Sequence, residues 1–304
     1  MFEYIVTDED NGVRADRIVK RLFPRVSFGL VQKQFRLKKI RANDRRVEPT
    51  DRLCSGDRLQ LFANLREARE KDSQQSNRRL LEQLRSMVIY ENDDFFAINK
   101  PTKLATQLGT KVSFCVETLI KSYPGCNCHL VHRLDRDTSG VLLIAKNRKY
   151  ACRLAGLFRE NRIKKTYLAV VGGYISQSGR IDTFLKKTFV RNEERMVIAD
   201  DGQMSITLYT PLKSVNQSYT LLELKPLTGR KHQLRVHCAD FLGTPILGDR
   251  KYNTNAEHSE LLLHAFKVAL EDCSTEIIAP IPRYFNELMS CDIASVLAAT
   301  MASQ

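Results

Sequence analysis

In the first part of the chain, short segments with the apolar spacing of a helix follow short segments with the apolar spacing of a strand. Apolar residues at 18, 19, 22 and 23 have helical spacing, and Pro24 ends that helix. Ser27 can cap a second helix. The predicted elements are helices at 14–23 and 28–39 and strands at 2–6, 40–43 and 58–62. They predict a small N-terminal α+β domain over residues 1–62.

A longer α+β pattern follows a polar stretch. Residues 63–86 are rich in Arg, Glu, Gln and Ser and contain no Gly or Pro, which predicts a charged linker. The second domain is expected to span residues 87–304. Its predicted elements are strands at 87–90, 95–99, 164–171 and repeatedly between 181 and 225, and helices at 112–122, 148–160 and from residue 284.

The chain is organised around residues 129–145. Val141–Ala145 is a continuous apolar run, which is typical of a strand in the middle of a sheet. Five ionisable residues occupy the six positions 132–137 just before it, and Leu134 among them indicates a loop that packs against the core. Such a loop suits a catalytic carboxylate. Composition alone favours a solvated loop with an Asp–Arg pair contributing only about 0–1 kcal/mol.

The net charge of the chain narrows the class of its binding partner. The 304-residue chain has a net charge of +13 and 43% hydrophobic residues. A polyanionic partner is therefore expected, either nucleic acid or an anionic membrane surface. No apolar run approaches the roughly 20 residues that span a bilayer. The acidic start resembles neither a signal nor a transit peptide, so we expect a cytoplasmic, cytosol-like compartment.

The eight cysteines are expected to be free thiols in such a reducing compartment. Cys126-Asn127-Cys128-His129 is the one segment that looks like a ligand cluster. Its spacing is too tight for a structural zinc site, and a second ligand pair is missing. We therefore expect no metal.

The second predicted helix and its exit form a one-sided basic segment. No acidic residue lies between Val26 and Asn43. The basic residues are Lys33, Arg36, Lys38, Lys39 and Arg41. A solvated helix face is the ordinary explanation, but unbalanced charge favours a phosphate-binding surface.

Two motifs carry a resemblance to a known family. His132-Arg133-Leu134-Asp135-x-x-Thr138-Ser139-Gly140 and Gly229-Arg230-x-His232-Gln233-Leu234-Arg235 together resemble the RluA-type pseudouridine synthases, which isomerise uridine in RNA. Gly248-Asp249-Arg250-x-Tyr252 is a further match. The segment 102–107 departs from the family pattern, because Lys103 replaces a glycine and the usual histidine is missing.

The resemblance implies a fold and a substrate. The fold is α+β: a catalytic domain with a central mixed, largely antiparallel sheet flanked by helices, and a cleft across the sheet. Residues 1–62 resemble the RNA-binding domain named after ribosomal protein S-four, through Arg14-x-Asp16, Ser27 and Gly56-Asp57. That combination points to the large-subunit ribosomal RNA branch. The isomerisation involves no redox or phosphoryl step, so no cofactor is expected, nor an obligate protein partner.

The resemblance also assigns roles. Asp135 falls on the essential aspartate, which either attacks the sugar covalently or stabilises or deprotonates a sugar intermediate. Arg235 should pair with Asp135 and keep it ionised, and Tyr167 should stack on the flipped uracil and serve as a base. Arg133 should fill the gap left by the flipped nucleotide. Other expected RNA contacts or buttressing residues are Arg136, Arg230, His232 and Gln233. His132, His237 and Asp137 are expected to be structural.

Two other functions compete with this one. The first is a non-catalytic RNA-binding or ribosome-assembly protein on the same fold, and the presence of Asp135, Tyr167 and Arg235 argues against it. The second is a metal-dependent nuclease that uses Asp135, Asp137 and a histidine. Magnesium dependence would support the nuclease, and full activity in a chelator would eliminate it.

Overall fold

The computed structural model describes residues 2–24, 26–62, 77–109, 114–190, 193–253, 258–272 and 275–302. The chain divides into two compact units, Met1–Leu80 and Leu81–Gln304. Most of the predicted linker, residues 63–76, lies outside the described residues, and residues 77–85 form helix α3. None of the described helices is long and apolar enough to cross a membrane.

In its described residues, the N-terminal unit contains a four-stranded antiparallel sheet, helices α1 and α2 and the first residues of α3. Its elements are β1 (Phe2–Ile5), α1 (Ala15–Leu22), α2 (Phe28–Arg36), β2 (Ile40–Ala42), β3 (Arg45–Arg46) and β4 (Arg58–Leu61). The strand order is β1-β4-β2-β3. The Ser27 hydroxyl accepts the Leu30 N–H at 3.2 Å, which confirms the predicted cap. Helix α2 ends three residues earlier than predicted, because Lys38 turns left-handed at φ 59°.

The second unit contains the remaining elements. Its first half comprises β5 (Val88–Glu91), β6 (Phe95–Lys100), α4 (Val116–Ile120), β7 (His129–Leu130), β8 (Ser139–Ala145), α5 (Arg148–Arg159) and β9 (Ile163–Gly172). Its second half comprises β10 (Gly179–Val190), β11 (Glu193–Ile198), β12 (Gln203–Val215), β13 (Tyr219–Pro226), α6 (Gln233–Val236), β14 (Leu263–Leu270), β15 (Thr275–Ile278), α7 (Arg283–Met289) and α8 (Ile293–Ala302).

These strands form one large mixed sheet of eleven strands. The order is β11-β10-β12-β13-β9-β14-β8-β6-β5, with β15 added to β14 and β7 to β8. Among the paired strands that the structure describes, only β8 and β14 run parallel. The predicted largely antiparallel mixed sheet is therefore confirmed. All seven residues of β8 are buried, as the apolar run predicted.

Helices pack against this sheet in two core clusters. Leu154 and Leu157 of α5 pack on Phe95, Val141 and Leu143 in one core cluster. A second cluster packs the C-terminal helices against the strands around β9, and includes Leu168, Val170, Phe285, Met289 and Leu297.

The helix around residues 116–120 is shorter than the sequence predicts. The helix predicted at 112–122 covers only Val116–Ile120 among the described residues, and residues 112–113 lie outside them. Helix α6 is followed at once by a π-helical turn, His237–Phe241.

Gly140 allows the parallel pair to form. It has φ 111°, and its backbone pairs with Ala265 of β14. A Cβ at this position would lie 2.2 Å from the Ala265 carbonyl oxygen. Only glycine combines this φ with so close an approach. The chain can therefore pass directly from the loop at 131–138 into the core strand β8.

Gly140→Ala should lower the free energy of unfolding by about 2–5 kcal/mol, through backbone strain and overpacking. Urea denaturation measures this change. Gly156→Ala is the matched control in the same unit, because its Cβ would meet only the end of the Arg159 side chain at 3.9 Å. In helix α5 that alanine should be neutral or stabilise by about 0.5–1 kcal/mol. Equal effects of the two alanines would contradict this account.

Candidate active site

Asp135 lies in the loop between β7 and β8, on the wall of a cavity of about 480 Å³. Leu134 beside it is 5% exposed, so the loop is packed down as predicted. The cavity brings together residues from separate parts of the second unit. They include His132, Arg133, Asp135, Lys165, Tyr167, Arg230, His232, Gln233 and Arg235.

Side chains from the end of β6 and from the segment after it hold the backbone of this loop. The buried Lys100 ammonium donates to the carbonyl of Arg136 at 3.1 Å, and to two carbonyls of its own segment. Thr102 donates to the Asp137 carbonyl at 2.8 Å. The Thr106 hydroxyl donates to the Leu134 carbonyl and accepts the Leu134 N–H. The position of Asp135 is thus fixed through its neighbours' backbone.

Burial lowers the pKa of Lys100 to about 7, although Asp137 and Asp135 act in the opposite direction. Its three donors match the three carbonyls, so the charged form is fully hydrogen-bonded. This role of Lys100 was not predicted from the sequence.

Lys103, the residue that departs from the family pattern, stands at a turn with a left-handed backbone. Lys103 keeps a left-handed backbone, φ 63°, which is the conformation that favours glycine. Its side chain forms an ion pair with Glu260 at 2.5 Å. Lysine therefore occupies the glycine conformation, and the loop still supplies Thr102 and Thr106 to the Asp135 segment.

The Asp135 carboxylate is flanked by two cationic or polar groups without being bonded to them. Arg235 Nη1 lies 3.6 Å and His232 Nε2 lies 3.7 Å from Asp135 Oδ2. Both distances exceed hydrogen-bond length. The carboxylate is 22% exposed and faces the cavity. Its oxygens therefore stay available to a substrate, in a positive electrostatic environment.

Arg235 has a closer partner than the one predicted. Its Nε and Nη2 donate to the two carboxylate oxygens of Asp249 at 2.7 and 2.6 Å, and both side chains are buried. Asp249 also accepts the N–H groups of Lys251 and Tyr252. This role was not predicted, although Asp249 stands in the matched Gly248-Asp249-Arg250-x-Tyr252 segment.

Tyr252 orients His232. The Tyr252 hydroxyl accepts the Met196 N–H at 3.0 Å and lies 2.8 Å from His232 Nδ1. The hydroxyl hydrogen of Tyr252 can then be donated to His232 Nδ1. This favours the His232 tautomer that carries its proton on Nε2, the nitrogen facing Asp135. Burial lowers the pKa of His232 to about 4, so the ring is neutral near pH 7.

Two other histidines are structural, as expected. His132 Nε2 accepts the Leu143 N–H at 2.8 Å, and burial lowers the pKa of His132 to about 3. Buried His237 bonds hydroxyls of β10 and β12, and burial lowers its pKa to about 4. Neither ring contributes charge at neutral pH.

Tyr167 lines the cavity from β9. Burial, and then the negative charge of Asp135, raise the pKa of Tyr167 well above its usual value. The phenol is therefore protonated at neutral pH. It can stack or accept a hydrogen bond, and it can act as a base only if its own proton leaves in the same step.

The predicted RNA contacts fall into two groups. Arg133, Arg136 and Arg230 are exposed, and Arg136 lies 3.5 Å from Asp137. Gln233 is buried, and its amide is fully used by the Thr228 hydroxyl, the Arg230 N–H, the Ile206 carbonyl and the Thr207 hydroxyl. This geometry favours the buttressing role of Gln233 over the RNA contact predicted for it.

Metal-binding groups are not clustered in the part of the chain that the structure describes. No group of three or more His, Cys, Asp or Glu residues there has an arrangement suited to a metal. The exposed basic residues Arg36, Lys38, Lys39 and Arg41 belong to the N-terminal unit.

Removing one partner of the buried Arg235–Asp249 pair should be costly. Asp249→Asn should lower the free energy of unfolding by about 3–5 kcal/mol, because it leaves a buried guanidinium uncompensated. Asp182→Asn is the control, since the Arg180–Asp182 pair is about half exposed and such pairs contribute about 0–1 kcal/mol. Urea titrations that gave both variants the same stability would contradict the importance of this pair.

Comparisons with known proteins identify the family. The family described as RNA pseudouridylate synthase matches residues 94–240. Ribosomal large subunit pseudouridine synthase C of Rickettsia prowazekii is 35% identical over 291 residues, covering 90% of this chain and 95% of the relative. The protein of the same name from Vibrio parahaemolyticus is 31% identical, with 94% and 95% covered.

A solved structure agrees with these relatives. Human RNA Pseudouridylate Synthase Domain Containing 4 has a TM-score of 0.59 and 26% identity, covering 70% of this chain and 95% of that one. These comparisons confirm the resemblance of the two motifs. The chain belongs to the RNA pseudouridylate synthase family and is an RNA pseudouridine synthase, an isomerase.

Proposed function

We propose that this protein isomerises uridines of large-subunit ribosomal RNA, with Asp135 as the carboxylate that acts on the ribose. The observation that carries the proposal is the position of Asp135, which faces a cavity beside Tyr167 and Arg235. The names of the bacterial relatives support the choice of large-subunit RNA. Such a substrate also favours the cytoplasm as the site of action.

The reaction fits this set of side chains. The bond from ribose C1′ to uracil N1 breaks, the base rotates, and a bond from C1′ to C5 forms. N1 gains a proton and C5 loses one, so atoms and charge balance. A carboxylate with free oxygens can attack C1′, or stabilise or deprotonate a sugar intermediate.

The other residues take supporting roles. Arg235 places its positive charge beside the Asp135 carboxylate, while Asp249 forms the closer ion pair with the guanidinium. Tyr167 stacks on the flipped uracil in its neutral form. Arg133, exposed at the cavity, fills the space left by the flipped nucleotide. Flipping costs a few kcal/mol, which a substitute stacking partner offsets.

We further propose three segments with different roles. Residues 1–62 are an S-four-like RNA-binding domain, residues 63–86 a linker and residues 87–304 the catalytic domain. The exposure of Arg36, Lys38, Lys39 and Arg41 supports a phosphate-binding surface on the first of them.

Asp135→Asn should reduce tritium release from RNA labelled at uracil C5 by about 10³-fold or more, because it removes the reacting carboxylate. The assay uses unmodified large-subunit ribosomal RNA with chelator present. RNA binding should be unchanged. Asp137→Asn is the matched control in the same loop and should stay within about twofold of wild type, because its half-exposed side chain forms a surface ion pair with Arg136.

Three results would count against this assignment. Release by Asp135→Asn at the wild-type rate would remove the carboxylate from the mechanism. Strand cleavage that stops in chelator would favour a nuclease. Tight binding with no release by the wild type would favour a ribosome-assembly protein.

Lys38→Gln combined with Lys39→Gln should weaken binding of the same RNA and flatten its salt dependence. The log–log slope should fall by about 0.7–0.9 for each phosphate that is no longer neutralised. The control is Arg52→Gln with Arg58→Gln, which removes the same charge. Arg52 already donates to the Gly12 carbonyl and Arg58 to Asp44. Equal slopes for the two double variants would mean that only net charge matters.

A further inference from the structure

Two adjacent lysines of β9 have opposite environments. Strand alternation places Lys164 and Lys165 on opposite faces of the sheet, with Lys165 on the face of Tyr167. The Lys164 side chain is 74% exposed and pairs with Glu271 at 3.3 Å. Lys165 is half-buried and lines the cavity that contains Asp135.

The ammonium group of Lys165 faces no counter-charge from the part of the chain that the structure describes. Among the residues that the structure describes, none forms an ion pair or hydrogen bond with it. It lies beside the Gly229 backbone, where a Cβ on Gly229 would be 3.9 Å from Lys165 Nζ. Its charge also contributes to the lowered pKa of His132. Burial lowers the pKa of Lys165 itself.

A partly desolvated ammonium without a partner is unfavourable, because it has lost water without gaining another compensating group. The two buried cations near Asp135 are balanced, Arg235 by Asp249 and Lys100 by three carbonyls. The cavity can therefore accept one anion at Lys165. A carbonyl oxygen of the uracil ring could accept a hydrogen bond there, but it would not neutralise the charge.

We propose that Lys165 binds a backbone phosphate next to the flipped uridine and so completes the substrate site. This inference rests on the proposed function, because it takes RNA with a flipped nucleotide as the occupant of the cavity. The phosphodiester is the anion that accompanies every nucleotide entering the site. Lys165 then holds the sugar-phosphate end while Tyr167, two residues along the same strand face, meets the base.

Lys165→Met removes the charge at similar length, and Lys164→Met makes the same change on the opposite face. We expect Lys165→Met to lower kcat/KM for unmodified large-subunit ribosomal RNA roughly 10- to 100-fold, as for loss of a charged hydrogen bond. The salt dependence should flatten by about 0.7–0.9 in slope. Lys165→Arg should restore most of the activity, and Lys164→Met should behave as wild type.

A second measurement identifies the ligand as phosphate. Once a modified uridine is mapped, a synthetic stem-loop containing it is made with one neutral methylphosphonate at either flanking position. One position should lower kcat/KM for the wild type as much as Lys165→Met does. The same substitution should then have no further effect on the Lys165→Met variant. If neither methylphosphonate lowered kcat/KM of the wild type, the proposal would be overturned, even if Lys165→Met failed to fold.

Failure of the proposed function has a different signature. If the wild type released no tritium, the isomerase assignment on this RNA would fail for all variants. If the wild type were active and Lys165→Met matched Lys164→Met, only the phosphate site would be wrong. If Lys165→Met still lowered kcat/KM by the full factor on both methylphosphonate substrates, Lys165 would contact the base rather than a phosphate.

Discussion

The buried ion pair between Arg235 and Asp249 is the interaction on which the candidate site depends. A buried pair is tolerated when both charges are fully hydrogen-bonded, and Asp249 satisfies this through the guanidinium and two backbone N–H groups. Because Asp249 already balances Arg235, the guanidinium can lie 3.6 Å from Asp135 without binding it tightly. Asp135 therefore stays free to meet a substrate.

Rigidity of the Asp135 loop comes from side chains outside it. Lys100, Thr102 and Thr106 bind backbone groups of residues 134, 136 and 137, so the loop is positioned without using its own carboxylates. Gly140 then lets the chain enter β8 against β14 without steric conflict. A functional loop on a rigid scaffold is the usual arrangement for catalysis, because it fixes geometry before the substrate arrives.

The net charge of +13 is distributed among cations with very different surroundings. Many lysines and arginines of the second unit pair with carboxylates, as Lys164 does with Glu271. Buried histidines are neutral, because burial lowers their pKa values. In the second unit, the cations that a polyanion can reach include the exposed arginines of the cavity and the partly buried Lys165. We therefore expect the affinity for RNA to depend on which cationic side chains lack a carboxylate partner, rather than on the net charge of the chain.

Local sequence determined most of the elements and the location of the site. The apolar run at 141–145 identified the central strand, and Ser27 identified a helix start. The family resemblance pointed to Asp135, Arg235 and Tyr167, which line one cavity. The predictions of the strand and of the helix start succeeded because periodicity and capping are properties of neighbouring residues.

Only the tertiary structure decided the partners. Arg235 with Asp249, His232 with Tyr252 and Lys103 with Glu260 are contacts between residues separated by 14, 20 and 157 positions. The terminal helix also divides in two, since Ser290 turns left-handed at φ 48°. The order of strands in the sheet brings together segments that are distant in sequence. That order depends on burying the apolar faces of all strands and helices simultaneously. Periodicity within one segment carries no information about which other segment it meets.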